Sequence, residues 1–343
     1  MKPFLFSLAI LGCGLTLKAQ TDKQPFLTRS LSGQNISNAR MEASGGSISV
    51  TGVNESEARL EVYVTPNNNE DLSKEEIQKR LDEYYTMDIS ISKGQLVATV
   101  KQKHAIQNNW KRAVNVSFRA FLPVNVTTDL ETSGGSIALS NLNGDHEFTT
   151  SGGSISIDHV KGKMKGRGSG GSIHAVSCSN DIDLVTSGGS IDAKDCTGEI
   201  RLRTSGGSLD LDNLDGKIEA ETSGGSIHAD EIKGELVTST SGGSIRLKNL
   251  SCSVEAETSG GGIDAEISDA TKSIRLRNSG GNIELELPAN KGYDLDLNAD
   301  KINIELKNFS GSTDDNSIEG KIYGGGPKVD VRASSGRINV SFR

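Results

Sequence analysis

Between residues 133 and 276 apolar and polar side chains alternate in two short runs, and the pair of runs repeats every 18 residues. Each unit opens on Ser-Gly-Gly-Ser-Ile or a close variant, with its serine at 133, 151, 169, 187, 205, 223, 241 or 259. With the isoleucine (Leu209 in one copy) as position 0, apolar residues return at +2 as Leu139, Ile157, Ala175, Ala193 and Leu211. They return at +5 as Leu142, Val160, Cys178, Cys196 and Leu214, and at +11 as Phe148, Gly166, Leu184, Leu202 and Ala220. Position +9 reads His146, Met164, Ile182, Ile200 and Ile218. Alternation of period 2 is the mark of a strand. Each unit therefore predicts strands at 0 to +3 and +8 to +13. A turn near +7 joins them, at Gly144, Gly162, Gly198, Gly216 and Gly234, and Ser-Gly-Gly makes the other turn.

A fixed period in this range is the signature of stacked repeats. The expected fold is all-β: a single-chain parallel β-solenoid with two main sheets and 18 residues per coil. It is expected to be right-handed, by the usual sense of strand-to-parallel-strand connections. Positions +2 and +11 look volume-matched across a thin core: Ile157 with Gly166, Ala175 with Leu184, Ala193 with Leu202, Leu211 with Ala220. Leu139/Phe148 and Ala229/Thr238 break that rule. A triangular left-handed β-helix would need a six-residue apolar repeat, which this chain lacks.

Outward positions carry charge that alternates coil by coil at +10 and nearly does so at +8. Position +10 runs Glu147, Lys165, Asp183, Arg201, Glu219, and +8 runs Asp145, Lys163, Asp181, Glu199, Lys217. Equal positions in neighbouring coils stand about 4.8 Å apart, so opposite charges favour correct register and like charges oppose it.

The flanks are less regular. Residues 1–19 read as a signal peptide: Lys2, an apolar run from Phe4 to Leu17, and Leu17-Lys18-Ala19 before Gln20. A second reading is lipoprotein processing at Cys13. Residues 20–40 read as a polar, flexible lead-in, and 41–126 as a first coil plus an α+β capping segment. Within the latter, Ser73, Glu76, Ile77, Leu81 and Tyr84 predict a capped helix. Met87–Ser92 and Gln95–Lys101 predict a hairpin turning at Lys93-Gly94. His104–Arg112 reads as a polar loop with the chain's one Trp. The β-solenoid repeats then occupy 127–343, regular over 133–276 and irregular over 277–343, for about a dozen coils and a rod of roughly 55 Å.

Composition agrees with a narrow core: of 343 residues 40 are Gly and only 4% are aromatic. The net charge of -8 argues against a nucleic-acid partner. No second apolar run approaches the length that spans a bilayer. The expected location is therefore outside the cytoplasm: periplasmic, outer-membrane-associated or extracellular.

Ser-Gly-Gly-Ser-Ile repeats behind an exported, alternating N-terminal segment and a Leu122-Pro123 step resemble a family of bacterial envelope proteins, the "putative adhesin" β-strand-repeat family DUF4097. That family is similar in turn to the auto-transporter-adhesin head GIN family. The resemblance spans about residues 40–343. It implies a β-solenoid adhesin-like protein and brings no catalytic motif with it.

Chemistry is sparse. Ser-Gly-Gly is not a phosphate loop, since no helix and no Gly-Lys-Ser/Thr follows. It is not a nucleophile elbow either, for want of strand-turn-helix context. Cys178 and Cys196 share +5 in consecutive coils, within disulfide reach; alternatively they are two small buried hydrophobes. Cys252 is expected at a turn, as a free thiol. The charge alternation fails on the first strand, where Asp192 and Asp210 share +1 and Asp212 and Asp230 share +3, with His174 and His228 beside them at +1. Such a stack is a candidate cation site (Asp192, Asp210, Asp212, His228, Asp230) or acid pair; it is equally a solvated acidic face. No cofactor is expected.

The reading is a non-enzymatic, exported adhesin-like interaction or scaffold protein whose partner is a protein or glycan at the envelope, with self-association open. The alternatives are a carbohydrate-active β-helix enzyme, a lyase or hydrolase working at the Asp192/Asp210/Asp212/Asp230 face, and an accessory protein of envelope-stress signalling.

Overall fold

A computed structural model describes residues 24–67, 72–103, 112–269, 273–289 and 291–343. The expected signal peptide, Cys13 and the loop over 104–111 that holds Trp110 lie outside the described residues.

The repeats coil as their periodicity predicts. From Ile173 to Thr240 every unit adds one short strand to one sheet and one longer strand to the other, as in Ile191–Lys194 followed by Thr197–Thr204, then Leu209–Asp212 followed by Asp215–Thr222. In Ile155–Gly168 and Ile245–Thr258 the two run on as one strand. Both sheets are parallel with an 18-residue register, so that Ile191 pairs with Leu209 and Ile200 with Ile218. We call them the short-strand and long-strand sheets. The predicted apolar positions are buried between them, among them Ile200, Leu202, Leu211, Leu214 and Ile218.

The first corner lies earlier than the glycines suggest. The chain turns at +4, where Asn141, His159, Ser177, Asp195, Asn213, Glu231 and Asn249 all have φ between 51° and 57°. The long strand already begins at +6, and the glycine at +7 lies inside it. Short polar side chains tolerate this left-handed backbone better than most, which is why Asn, Asp and Ser dominate. Glycine at +7 answers a second constraint: Gly216 has φ 135°, and a Cβ there would strike the Gly198 carbonyl of the preceding coil. Cys252, at +7 of its coil, is likewise inside a strand (Ile245–Thr258) and fully buried, rather than at a turn.

At the Ser-Gly-Gly corner the buried threonine before the motif satisfies the turn. Thr204 donates from its hydroxyl to the Gly189 carbonyl of the previous coil (2.7 Å) and accepts from the Gly207 amide (3.3 Å). Thr150, Thr222, Thr240 and Thr258 repeat both bonds. Thr204→Val keeps the shape and removes both bonds, so it should cost about 1–3 kcal/mol by urea unfolding. A loss below about 0.5 kcal/mol would mean that the threonines only fill space.

The core is complementary along the stack as well as across it. A Cβ on Gly166 would collide with the Phe148 ring from the coil before and come within 2.8 Å of Leu184 from the coil after. The vacancy thus accommodates Phe148, one of the residues that broke the facing-pair rule. Thr238, the other exception, is buried with its hydroxyl on the Ala220 carbonyl at 3.0 Å.

Outward charges pair between coils, at +10 as expected with Glu147 to Lys165 at 2.9 Å, and also from +12 with Arg203 to Glu219 and Glu221 at 3.3 Å each. Exposed pairs of this kind contribute little stability singly. Their use is to select the register.

Both ends depart from sequence order. At the N-terminal end the first coil (Asn38–Ala43, Ile48–Val53) is flanked on one side by strands Gln95–Gln102 and Val114–Pro123, and on the other by Thr127–Thr132 and Ile137–Asn143. Antiparallel strands then close the stack: Arg59–Pro66 on Val114–Pro123, Leu27–Ser30 on Arg59–Pro66, and Tyr85–Ser92 on Gln95–Gln102. The segment expected as a flexible lead-in is therefore structured from residue 27 on, because Leu31 and Ile36 are buried. Helix Lys74–Tyr84 forms as predicted, with the Ser73 hydroxyl capping the Glu76 amide, and Lys93-Gly94 turns the predicted hairpin.

At the C-terminal end the last coil in sequence (Lys328–Ala333, Arg337–Phe342) inserts between strands Ser273–Asn278/Ile283–Leu287 and strands Tyr293–Asn298/Lys301–Ile304. Hairpin Phe309–Asp314/Ser317–Ile322 covers Tyr293–Asn298. Asp330 locks the inserted coil, bonded to Arg277 at 2.6 Å with Arg332 at 3.4 Å. Burial pushes its carboxyl upward, but these guanidinium groups outweigh that and hold it below the ordinary carboxylate value. Among the described residues no helix is long and apolar enough to cross a membrane.

Candidate functional site

The short-strand sheet brings together all the acidic residues singled out from the sequence. Two rows of outward side chains run along the rod, at +1 and +3 of successive coils. The first row is His174, Asp192, Asp210, His228, Arg246, each paired in register with the next. The second is Lys194, Asp212, Asp230, Lys248. Between them lies an open trough of about 390 Å³, floored by Ala193, Leu211 and Ala229.

The apparent failure of charge alternation resolves here. Each like-charged aspartate pair is bracketed by cationic or imidazole partners on both sides. Asp192 faces His174 at 2.6 Å and Asp210 faces His228 at 3.0 Å. Asp212 takes Lys194 at 2.7 Å, and Asp230 accepts from the Asn249 amide at 2.8 Å. The hydrogen bond to Asp212 holds the Lys194 ammonium above its ordinary pKa. The second row runs plus, minus, minus, plus rather than in strict alternation, and every one of these carboxylates has a polar partner.

These contacts bear on the candidate cation site. Its five residues lie on one face, and each of the four carboxylates gives one oxygen sideways to a partner in a neighbouring coil. Among the described residues no group of three His, Cys, Asp or Glu side chains converges as metal ligands would. Lys194, Arg246 and Lys248 also line the trough. Sequence reasoning passed over them, although their +1 and +3 positions were in view. What the arrangement offers is a rigid, two-row array of hydrogen-bond donors and acceptors with nearly balanced charge, suited to an extended polar ligand.

Cys178 and Cys196 are buried at equivalent positions of adjacent coils and are free thiols in this structure. Each sulfur sits close to a backbone carbonyl, Cys178 on Val176 at 3.3 Å and Cys196 on Lys194 at 3.2 Å. The hydrogen bond between the two thiols, with burial, raises the Cys178 pKa above its ordinary value. Cys252, alone and buried, is pushed up to about 12 by burial.

The family model described as Toastrack DUF4097 matches residues 235–341, which bears out the resemblance over the C-terminal part of the rod. Among solved structures, one similar chain is a "putative adhesin" from Bacteroides fragilis, 15% identical, covering 74% of this chain and 96% of its own with a TM-score of 0.37. Another is a "putative cell adhesion protein" from Clostridium sporogenes, 10% identical, covering 92% of this chain and 98% of its own with a TM-score of 0.19. No curated protein matches the chain.

Proposed function

We propose that this chain, a Toastrack DUF4097 protein over residues 235–341, is an exported envelope protein that acts without catalysis, as an adhesin-like interaction or scaffold rod. Its binding surface is the trough of the short-strand sheet, and its partner is an extended protein or glycan segment lying along the rod.

The observation that carries this reading is the pairing of the aspartates. A general acid or nucleophile must keep a lone pair or proton aimed at the substrate. Asp192, Asp210, Asp212 and Asp230 each commit one carboxylate oxygen along the sheet, to His174, His228, Lys194 and Asn249, and among the described residues no three His, Cys, Asp or Glu side chains converge on one point. The trough is also shallow and open, which suits display of a surface better than exclusion of water. The competing reading, a polysaccharide lyase or hydrolase on this face, predicts turnover.

A glycan array combined with a lyase and hydrolase screen separates the two. Binding without product is expected, weakened at least about fivefold by a paired Asp212→Lys, Asp230→Lys change that removes the acceptors of the second row and makes it uniformly cationic. Product formation that disappears in Asp210→Ala would overturn the proposal.

A further inference from the structure

The C-terminal end of the rod holds a second cavity that the trough does not explain. It measures about 330 Å³ and is the more enclosed of the two. Its floor is apolar: Ile322 from the capping hairpin and Val340 and Phe342 from the inserted coil, the first two almost fully buried. Its rim carries Glu305 and Lys307, which pair at 3.0 Å, and Tyr323.

Tyr323 stands out on two independent counts. It is 43% exposed, one of few large hydrophobic residues on the surface. Its φ is +46°, a conformation that costs a bulky side chain and that the next two residues, Gly324 and Gly325, adopt at φ 84° and 89° without strain. The turn is held by the Tyr323 amide on the Asn308 carbonyl and the Gly325 amide on the Ile322 carbonyl. Glycine at 323 would make the same turn unstrained, so nothing in the local backbone asks for an aromatic ring. Strain of this kind persists where the side chain serves something other than stability.

We propose that this cleft binds one uncharged pyranose residue, with the sugar's C–H face on the Tyr323 ring and its hydroxyls on the Glu305 carboxylate and Lys307 ammonium. An aromatic ring offers a flat apolar face with a polar tip. The Glu305–Lys307 pair supplies both an acceptor and a donor while keeping the rim electrically neutral, which favours a neutral polyhydroxylated ligand over an anionic or cationic one. The cavity volume lies at the lower end for small-molecule sites, appropriate to a single ring. Tip binding of this kind is independent of the trough and survives or fails separately from it.

Saturation-transfer NMR on the exported chain tests the proposal, with methyl glycosides of glucose, galactose, mannose and N-acetylglucosamine as probes and glucuronic and sialic acids as charged controls. At least one neutral glycoside should receive saturation at its ring C–H protons. Tyr323→Gly should weaken that binding at least about tenfold while unfolding at equal or higher urea, because it relieves the backbone. Glu305→Gln should weaken it as well. Binding of the charged sugars alone, of none of the six, or binding unchanged in Tyr323→Gly would overturn the assignment.

Discussion

Gly207→Ala should unfold the middle of the solenoid, while Gly206→Ala, one residue earlier in the same motif, should leave it standing. A Cβ on Gly207 would fall on the carbonyl oxygen of Gly189 in the preceding coil and 2.6 Å from the Ser190 amide nitrogen. A Cβ on Gly206 would find its nearest neighbour, the Gly188 carbonyl oxygen, at 3.6 Å, an ordinary contact. Both obstacles at Gly207 are backbone atoms of the preceding corner, which is held from both sides, the Gly189 carbonyl by the Thr204 hydroxyl and the Ser190 amide by the Ser172 hydroxyl, so neither moves away freely. Relief would have to separate two coils, and each coil holds its neighbours through its whole length. The expected loss is at least about 3 kcal/mol for Gly207→Ala, at the upper end of overpacking effects. For Gly206→Ala it is within about 1 kcal/mol of zero, since alanine also restricts the unfolded chain. Urea unfolding followed by far-UV circular dichroism reads both. Equal midpoints for the two variants would show that the corner needs flexibility rather than close approach.

The second large effect is acid sensitivity centred on His146. Its imidazole occupies +9, a core position held elsewhere by Met, Ile, Leu and Val, and only 2% of it is exposed. Nδ1 lies 2.9 Å from the Thr128 hydroxyl, whereas Nε2 has no hydrogen-bond partner among the described residues. Burial lowers its pKa from 6.5 to about 4, against the smaller opposing pull of Asp145. Asp129, Glu147, Lys163 and Lys165 stand around the same spot at the surface.

A folded-state pKa below the unfolded value means that the unfolded chain binds the proton more readily. Stability from this group is therefore intact above about pH 6.5, falls as pH drops from there to about 4, and is fully lost below. The shift corresponds to about 3 kcal/mol. His146→Met, which copies Met164 one coil on, should remove this slope. Its advantage over the wild type should grow from pH 7 to pH 4 in a series of urea titrations. The Thr128 hydroxyl loses its partner in the variant, which offsets both ends of the series equally and leaves the slope untouched. Parallel pH profiles for the two proteins would refute the assignment.

Much of the trough was legible in the sequence, because 18-residue spacing places Asp192 beside Asp210 and Asp212 beside Asp230 once the repeat is recognised. What could not be read was the direction of each side chain. Asp192 turns to His174 and Asp210 to His228, so a stack that looked like unpartnered carboxylates is a set of hydrogen-bonded pairs. The tip cleft was not legible at all. Its walls come from residues 289, 305, 307, 322–323 and 340–342, which sequence order would assign to different coils.

The amino-acid sequence by itself determined the repeat. Period-2 alternation within an 18-residue frame leaves an aliphatic side chain no place but between two sheets, and the alternating +10 charges favour the 18-residue register. It determined as well where glycine was indispensable, although the reason at Gly207, contact with the coil before, is visible only in three dimensions. Tertiary structure alone decided the two ends. A regular coil finds its partner 18 residues away, so local pattern specifies it. The terminal coils are joined by long excursions, and alternation in Val329–Ala333 or Ile48–Val53 fits any open sheet edge equally well. Their places were settled by competition among edges: Asp330 finds Arg277 only when the last coil slips inside the one before it in sequence. The Ser-Gly-Gly corners follow from chain chemistry, and the closing of the rod from which edges remain to be covered.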